Sequence, residues 1–228
     1  MCVSVEFDGS QFYAYVVRMA TPEAMLEILE TKGRPLSTFK KGDKIVVRNK
    51  MEHDYSYVLE EAPGTNFDPE FKPHFSPGEI LRLGAFEGKY LNDCLTEFPS
   101  EWFVDAIGLD KLRPQGPDPA INLFGVKSRL PLSEWRSKGW VPSKGHKAAQ
   151  FPGLSDPTLN KDPRGWFQWY CRYWMGRRIP ELDTIQIKRW KAFKRHVGGV
   201  QKNCKAGDLT CRPIQRQALL HWAWNPFV

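Results

Sequence analysis

Residues 162–178, DPRGWFQWYCRYWMGRR, constrain the fold of this chain more than any other stretch. The segment holds three tryptophans, two tyrosines and one phenylalanine. At 100° per residue these rings fall within one broad arc of a helix, while Arg164, Gln168 and Arg172 lie on the opposite side. Rings at helical spacing are usually buried. The pattern therefore predicts a core helix with Asp162 as its N-cap and with a basic outer face.

The last third of the chain carries all of the excess positive charge. Residues 161–228 hold 14 Lys+Arg and 4 Asp+Glu, a balance of +10, whereas residues 1–160 hold 19 against 22, a balance of −3. Six of the nine tryptophans also lie in residues 161–228. Such asymmetry indicates a polyanionic partner, with an ordinary solvated basic surface as the alternative.

The composition argues against a disordered chain and against a membrane protein. A hydrophobic content of 41% is sufficient for a packed core. No apolar run approaches the roughly 20 residues that span a bilayer, and no secretory signal is visible, so we expect no membrane partner. The cysteines are odd in number and scattered, which favours reduced thiols in an intracellular protein of the cytoplasm or nucleus, or of the host cytoplasm or virion if the gene is viral. They are Cys2, Cys94, Cys171, Cys204 and Cys211.

The first 62 residues predict a small β-rich unit. Val3, Val5 and Phe7 alternate with polar residues, and the Asp-Gly-Ser at 8–10 is typical of a hairpin turn. Thr21 and Gly33 have the residue types that begin and end a helix. The further expected elements are a strand over 11–19, a helix over 21–33, and strands over 44–49 and 55–61, which gives a ββαββ order.

Residues 63–160 predict an irregular and helical connecting body. A loop over 62–75 is rich in Pro, Gly, Asn and Asp. It precedes SPGEILRLG (76–84), in which Ser76 and Glu79 form a capping-box pattern. Further short helices are expected over 98–108 and 132–140, followed by a long loop over 140–165.

Residues 161–228 predict a module of three helices, basic outside and aromatic inside. The second helix covers 179–199 and the third 210–224. We expect buried rings at Trp166, Trp169, Tyr170, Tyr173 and Trp190, and exposed rings at Trp140, Trp222 and Trp224. The fold class is therefore α+β, with a β-rich unit (1–62) packed on a connecting body (63–160) and a basic three-helix module (161–228).

The basic module offers a set of cations for the phosphates of a nucleic acid. Arginine and lysine neutralise backbone charge, and a planar guanidinium can bond two phosphate oxygens at once. Gln215 and Gln217 on the third helix have side chains able to read base edges. The candidate binding residues are Arg172, Arg177, Arg178, Lys188, Lys191, Lys194, Arg195, Arg212 and Arg216.

A zinc site can be drawn from residue types alone, and its spacing argues against it. The four candidates are separated by seven, six and nine intervening residues, which matches no zinc knuckle. The simpler interpretation is two reduced cysteines and two unrelated histidines, so we expect no metal and no cofactor. The candidates are His196, Cys204, Cys211 and His221.

Catalytic motifs are not visible in the sequence. Glu97, Glu101 and Asp105 recur at intervals of four, as an acid/base pair on one helix face would, but no histidine motif accompanies them. The chain lacks a Walker A, a G-x-S-x-G and an H-E-x-x-H pattern. A solvated acidic helix face is the simpler interpretation.

Four sequence blocks carry a family resemblance: NLFGVKSRLPLSEWRSKGW, DPRGWFQWYCRYWMGRR, QIKRW and CRPIQRQALLHW. They resemble an uncharacterised family that occurs in large DNA viruses, bacteria and fungi. The resemblance covers roughly residues 76–224 and implies an intracellular module, virus-encoded in some cases, with a variable N-terminus. It implies no catalytic residue, because no activity is established for the family.

These observations favour a non-enzymatic nucleic-acid-binding protein that contacts DNA through backbone phosphates. The first alternative is a structural or assembly protein, such as a virion component, with a protein partner or a second copy of the chain. The second alternative is a nucleic-acid-modifying enzyme whose site is assembled in space.

Overall fold

The computed structural model describes residues 3–7, 10–14, 21–142 and 153–228, with side chains from residue 21 onward. Within these ranges lie two antiparallel strand pairs and seven α-helices, which confirms the α+β class. The predicted turn at residues 8 and 9 and the predicted strand beyond residue 14 lie outside the described residues. The elements are β1 (Val3–Phe7), β2 (Ser10–Ala14), α1 (Pro22–Lys32), β3 (Lys44–Val47), β4 (Tyr55–Val58), α2 (Pro77–Leu83), α3 (Ser100–Gly108), α4 (Leu132–Ser137), α5 (Trp166–Trp174), α6 (Pro180–Asn203) and α7 (Pro213–His221).

The N-terminal elements follow the predicted ββαββ order. β1 pairs with β2 from Val3 opposite Ala14, and β3 pairs with β4 from Lys44 opposite Val58. At the start of α1 the Thr21 hydroxyl accepts a hydrogen bond from the Ala24 backbone N–H at 3.2 Å, as expected of an N-cap. One face of the β3–β4 pair is buried in the main core through Ile45, Val47, Tyr57 and Leu59.

The connecting residues between β4 and α2 contribute to the core as well as linking the elements. Phe71, in the predicted loop over 62–75, is 1% exposed. Its ring makes edge-on contacts with four aromatic rings at centroid distances of 4.9 to 5.6 Å. The capping box of α2 is confirmed, because the Ser76 and Glu79 side chains each accept from the other's backbone N–H. The rings around Phe71 are Trp169, Tyr170, Tyr173 and Trp190.

Helix α5 lies at the centre of the molecule and is buried on every side. Residues 166–173 are all buried, including Gln168 and Arg172, so the predicted basic outer face does not exist. The prediction that Asp162 caps this helix is also wrong: α5 begins at Trp166 after Gly165, which has a φ of 84°. The Asp162 carboxylate accepts hydrogen bonds from Arg172 and Arg177 instead.

The predicted buried rings are confirmed, and two of the three predicted exposed rings are not fully exposed. Trp140 is 36% exposed, as expected. Trp222 and Trp224 are half-buried, because Trp222 stacks between Trp166 and Phe193 and Trp224 stacks on Trp190. These two rings therefore pack within their own chain. The buried rings are Trp166, Trp169, Tyr170, Tyr173 and Trp190.

One hydrophobic cluster includes residues from all three predicted segments of the chain. Its buried members run from Met25 in α1 to Ala223 after α7, and they come from each of the segments 1–62, 63–160 and 161–228. Helix α2 packs on α3 and α5, and α6 packs on α5 and α7. No described helix is long and apolar enough to cross a bilayer.

The expectation that the cysteines are all reduced needs a correction. Cys204, which follows α6, forms a disulfide with Cys211 in the loop before α7. The loop NCKAGDLTC turns back on itself, since Asp208 accepts hydrogen bonds from the backbone N–H groups of Thr210 and Cys211. Cys94 and Cys171 are free thiols in the core, and Cys2 lies outside the described residues.

Candidate nucleic-acid interface

Arg172, a predicted phosphate ligand, is the centre of a buried ion cluster. Its side chain is fully buried and donates to Glu97 at 2.6 Å, to Asp162 at 2.9 Å and to Glu52 at 2.9 Å. Burial alone would lower the pKa of Arg172, and the carboxylates, Glu97 first, raise it above its ordinary value. Burial raises the pKa of Glu97. Arg172 is therefore a structural cation that no nucleic acid can reach, and its inclusion among the binding residues is wrong.

Two further candidates are also buried, because groups inside the fold accept hydrogen bonds from their guanidinium nitrogens. Arg177 donates through two guanidinium nitrogens to the Asp162 carboxylate, at 2.9 and 2.6 Å. Arg216 is fully buried and donates to the backbone carbonyls of Cys211 and Asp208, and to those of Pro226 and Val228. Both arginines hold loops in place, so they are also removed from the predicted interface.

Arg178 has a mainly structural position. Its guanidinium donates to the carbonyls of Tyr173 and Arg177 near the end of α5. It also donates to those of Thr65 and Asn66 in the loop between β4 and α2. It also lies 4.1 Å from the centre of the Tyr173 ring. Its donors are engaged by carbonyls, which leaves it a poor phosphate ligand.

The remaining candidates are exposed and four of them share α6. Residues 184–207 carry seven Lys or Arg and no Asp or Glu. At 100° per residue Lys188, Lys191 and Arg195 form one stripe, with Lys194 beside it. Lys191 makes an exposed ion pair with Glu70 at 2.6 Å, a contact that water screens strongly. The exposed candidates are Lys188, Lys191, Lys194, Arg195 and Arg212.

A cavity of about 510 Å³ opens beside this stripe. Arg195 and Ala192 of α6 line it, and Ala192 is one turn from Lys188, so the cavity and the basic stripe are continuous on the helix surface. Four tryptophans, three arginines and two histidines line its wall, and none of its described lining residues is an Asp or a Glu. These residues are Trp135, Trp140, Trp166, Trp222, Arg129, Arg189, Arg195, His196 and His221.

The tryptophans of the cavity divide into two groups. Trp166 and Trp222 stack at 4.6 Å, and Trp222 stacks on Phe193 at 4.7 Å with the ring planes 8° apart. Their faces are therefore used within the core. Among the described rings, Trp135 and Trp140 stack with none, and Trp135 rests on Gly165, where a Cβ would come within 3.1 Å of the indole. Trp135 and Trp140 are therefore the two rings that no other described ring covers, and the cations of Lys138 and Arg189 lie 5.6 and 5.8 Å from the Trp140 ring centre.

The three arginines of the cavity are held in different ways. Arg129 donates to the buried carboxylate of Glu87 at 3.1 Å, and its Nε is buried without a hydrogen-bond partner. Arg189 lies 5.8 Å from the Trp140 ring centre and 5.5 Å from that of Trp222, and burial lowers its pKa to about 10. At neutral pH Arg189 is therefore still charged. Arg195 donates to the Ala192 carbonyl at 3.3 Å and is exposed.

His221 is a buried neutral histidine in the cavity wall with a defined tautomer. Its Nε2 accepts from the Phe86 backbone N–H at 3.0 Å and lies 3.0 Å from Gln217 Nε2. Gln217 must present its NH₂ group there, because its Oε1 accepts from the Phe124 N–H at 3.1 Å. The ring proton is therefore on Nδ1. Burial lowers the pKa of His221 to about 3.

The backbone that supports this wall is left-handed at three successive residues. Phe86, Glu87 and Gly88 have φ values of 52°, 61° and 69°. Such a conformation costs about 1–3 kcal/mol at each non-glycine residue and is concentrated at functional sites. It directs the Phe86 N–H to His221 and the Glu87 side chain to Arg129, so the two cavity residues depend on this turn.

The zinc candidates do not form a site. Cys204 and Cys211 are bonded to each other, so neither is available as a thiolate. His196 Nδ1 lies 3.2 Å from Gln215 Nε2, and His221 is engaged as described above. No group of three or more His, Cys, Asp or Glu in the described part of the chain could hold a metal ion.

The acidic residues considered for catalysis lie apart and serve the fold. Glu97 pairs with Arg172 in the core, and Glu101 accepts from the Leu36 backbone N–H at 3.0 Å through both oxygens. Asp105 is exposed on α3. This arrangement does not form the acid/base pair drawn from their spacing.

The cavity was not visible in the sequence because it combines residues that lie far apart. Phe86, Arg129, Trp140, Arg189 and Trp222 come from five separate stretches. The one local signal is the pair Trp135, in the short helix α4, and Trp140, three residues after its end.

Comparison with known proteins gives no relative: no family model, no curated protein and no solved structure matches the chain. The family resemblance in the sequence therefore stays a prediction.

Proposed function

We propose that this protein binds nucleic acid, with backbone phosphates on the exposed cations of α6. The observation that carries the proposal is the charge of residues 184–207, which hold seven Lys or Arg and no acidic residue. Lys188, Lys191, Lys194 and Arg195 are exposed there. A helix whose exposed face carries four cations over two turns, with no acidic residue in the same segment, is an electrostatic footprint for phosphates.

Burial of Arg172, Arg177 and Arg216 makes this proposal narrower than the sequence suggested. Three of the nine predicted cations are buried in the interior and a fourth, Arg178, is engaged by backbone carbonyls, so the phosphate-binding surface contracts to the four cations of α6 and Arg212. Arg212 donates to Gln215 at 3.2 Å, and Gln215 in turn donates to the His196 carbonyl of α6 at 3.1 Å. Arg212 therefore adjoins the same face.

DNA is the first candidate partner. A B-form major groove is about 12 Å wide and admits an α-helix, whereas the major groove of A-form RNA is too deep and narrow. Backbone phosphates alone do not distinguish the two, so RNA is an arm of the test.

The experiment compares two triple variants of equal charge. Lys188→Gln/Lys191→Gln/Lys194→Gln removes three cations from α6, and Lys32→Gln/Lys40→Gln/Lys44→Gln removes three exposed lysines from the N-terminal unit. Binding of fluorescent duplex DNA and single-stranded RNA is followed by anisotropy at low salt. The proposal predicts weaker binding for the α6 variant alone. Equal weakening by both variants, or no binding by the wild type, would contradict it.

A further inference from the structure

We propose that the cavity beside α6 binds one unpaired nucleotide, with its base against Trp135 and Trp140 and its phosphate on Arg129 and Arg195. This deepens the proposed function and rests on it only for the source of the nucleotide, which is a strand lying along α6.

The size and chemistry of the cavity fit a small anionic aromatic molecule. Its volume of about 510 Å³ lies within the range of about 300–1,000 Å³ typical of small-molecule sites. Three guanidinium groups line it, and the one carboxylate beside them is Glu87, which pairs with Arg129, so positive charge is in excess among the described residues and favours an anion. Trp135 and Trp140, the two indoles of the wall that do not stack in the core, favour a flat ring. A nucleotide combines these two requirements in one molecule.

Trp140 has the properties of a stacking platform. It is 36% exposed, it follows the short helix α4, and no described ring stacks on it. Its backbone N–H donates to the Trp135 carbonyl at 2.9 Å, which holds the turn after α4. Base–aromatic stacking tolerates any base because every base has a π-face. The cavity therefore selects an unpaired base without strong sequence preference.

Arg129 presents a fixed guanidinium to the cavity. Its side chain is 23% exposed and donates to the Glu87 carboxylate at 3.1 Å. The Nε of Arg129 and the Oε1 of Glu87 belong to the same ion pair, and both are buried away from the cavity. The exposed part of the guanidinium is therefore the part that a phosphate oxygen can contact.

His221 adds a defined polar contact. Both of its observed bonds use Nε2, so a ligand in the cavity meets a ring whose remaining polar group is the Nδ1–H donor. Purine and pyrimidine edges carry ring nitrogens and carbonyl oxygens that accept such a donor.

The position of Arg195 connects the cavity to the helix stripe. It lines the cavity and also lies seven residues, or two turns, from Lys188 on the exposed face. A strand whose phosphates follow this stripe would bring one nucleotide to the cavity entrance. Duplex DNA without an unpaired base could use the stripe alone.

The test measures whether bases contribute to binding beyond phosphates. Anisotropy compares a labelled single-stranded oligonucleotide with an abasic oligomer of the same length and charge. We expect the wild type to favour the oligonucleotide by roughly 5- to 150-fold, the range for one stacked base. Trp140→Ala should abolish this preference while the binding of the abasic oligomer is unchanged.

Matched variants separate the two proposals. Ile214→Ala, at a residue 61% exposed on α7, is the control for a surface apolar truncation and should keep the preference. The triple glutamine variant of α6 should weaken both oligomers and keep their ratio. Equal affinity of the wild type for both oligomers would overturn the cavity proposal and leave phosphate binding intact.

A free nucleotide is the remaining ligand to be tested. Nucleoside 5′-monophosphates are titrated by calorimetry against the wild type and Trp140→Ala. One outcome is that the wild type binds a free nucleotide, Trp140→Ala does not, and neither protein binds any oligomer. This outcome would overturn the proposed function and support nucleotide binding by the cavity. Absence of both kinds of binding would overturn both.

Discussion

The guanidinium of Arg189 lies 5.5 Å from the centre of the Trp222 ring, and this contact joins α6 to the residues that follow α7. Trp222 stacks on Trp166 of α5 and on Phe193 of α6. The basic helix is therefore fixed to the aromatic core by a column of rings, and its exposed cations stand on a rigid support.

Replacement of Arg172 should strongly destabilise the protein. Arg172→Met leaves Glu52, Glu97 and Asp162 buried without their common partner, which typically costs about 3–5 kcal/mol. Urea denaturation followed by fluorescence gives the free energy of unfolding. Lys202→Met, an exposed change on α6, should alter it by less than about 0.5 kcal/mol. A small effect of Arg172→Met would mean that the cluster is not a structural centre.

Acidification should destabilise the fold through His221. Its pKa is about 3 when folded, against an ordinary value of 6.5, so the unfolded state binds one more proton between these limits. The stability from this group is complete above pH 6.5 and decreases as the pH falls, by about 1.4 kcal/mol per pH unit. His221→Gln cannot titrate, so its unfolding free energy should vary less steeply between pH 6.5 and 4. Parallel pH profiles of the two proteins would refute this assignment.

Reduction of the Cys204–Cys211 disulfide should loosen the loop between α6 and α7. A sequence separation of 7 closes a short loop, for which chain-entropy arguments give about 2–3 kcal/mol. Thermal unfolding with and without a thiol reductant measures the effect, and Cys204→Ser/Cys211→Ser should be insensitive to the reductant. A wild-type melting temperature that reductant leaves unchanged would show that the two thiols are not bonded in solution.

The sequence was informative where the physical signal is local. The capping residues Thr21 and Ser76 and the helical spacing of Trp166, Trp169 and Tyr170 depend on neighbours within four positions. Each of these predictions is confirmed.

Long-range electrostatic contacts explain why the predictions for Arg172 and Asp162 were wrong. The carboxylates that neutralise the buried Arg172 belong to Glu97 and Glu52, which lie 75 and 120 residues away in the sequence. Helical periodicity does not include such distant partners, and it therefore placed this arginine on an outer face. Asp162 has the residue type and position of an N-cap, but two arginines that follow it take its oxygens. A local pattern cannot reveal that competition.

The salt dependence of DNA binding tests the central claim most directly. The logarithm of the association constant for duplex DNA falls linearly with the logarithm of salt concentration, with a slope of about −0.9 per neutralised phosphate. If Lys188, Lys191 and Lys194 each contact a phosphate, Lys188→Gln/Lys191→Gln/Lys194→Gln should reduce the magnitude of the slope by about 2.7. The matched variant Lys32→Gln/Lys40→Gln/Lys44→Gln should leave the slope unchanged. Identical slopes for the wild type and the α6 variant would contradict phosphate binding by α6.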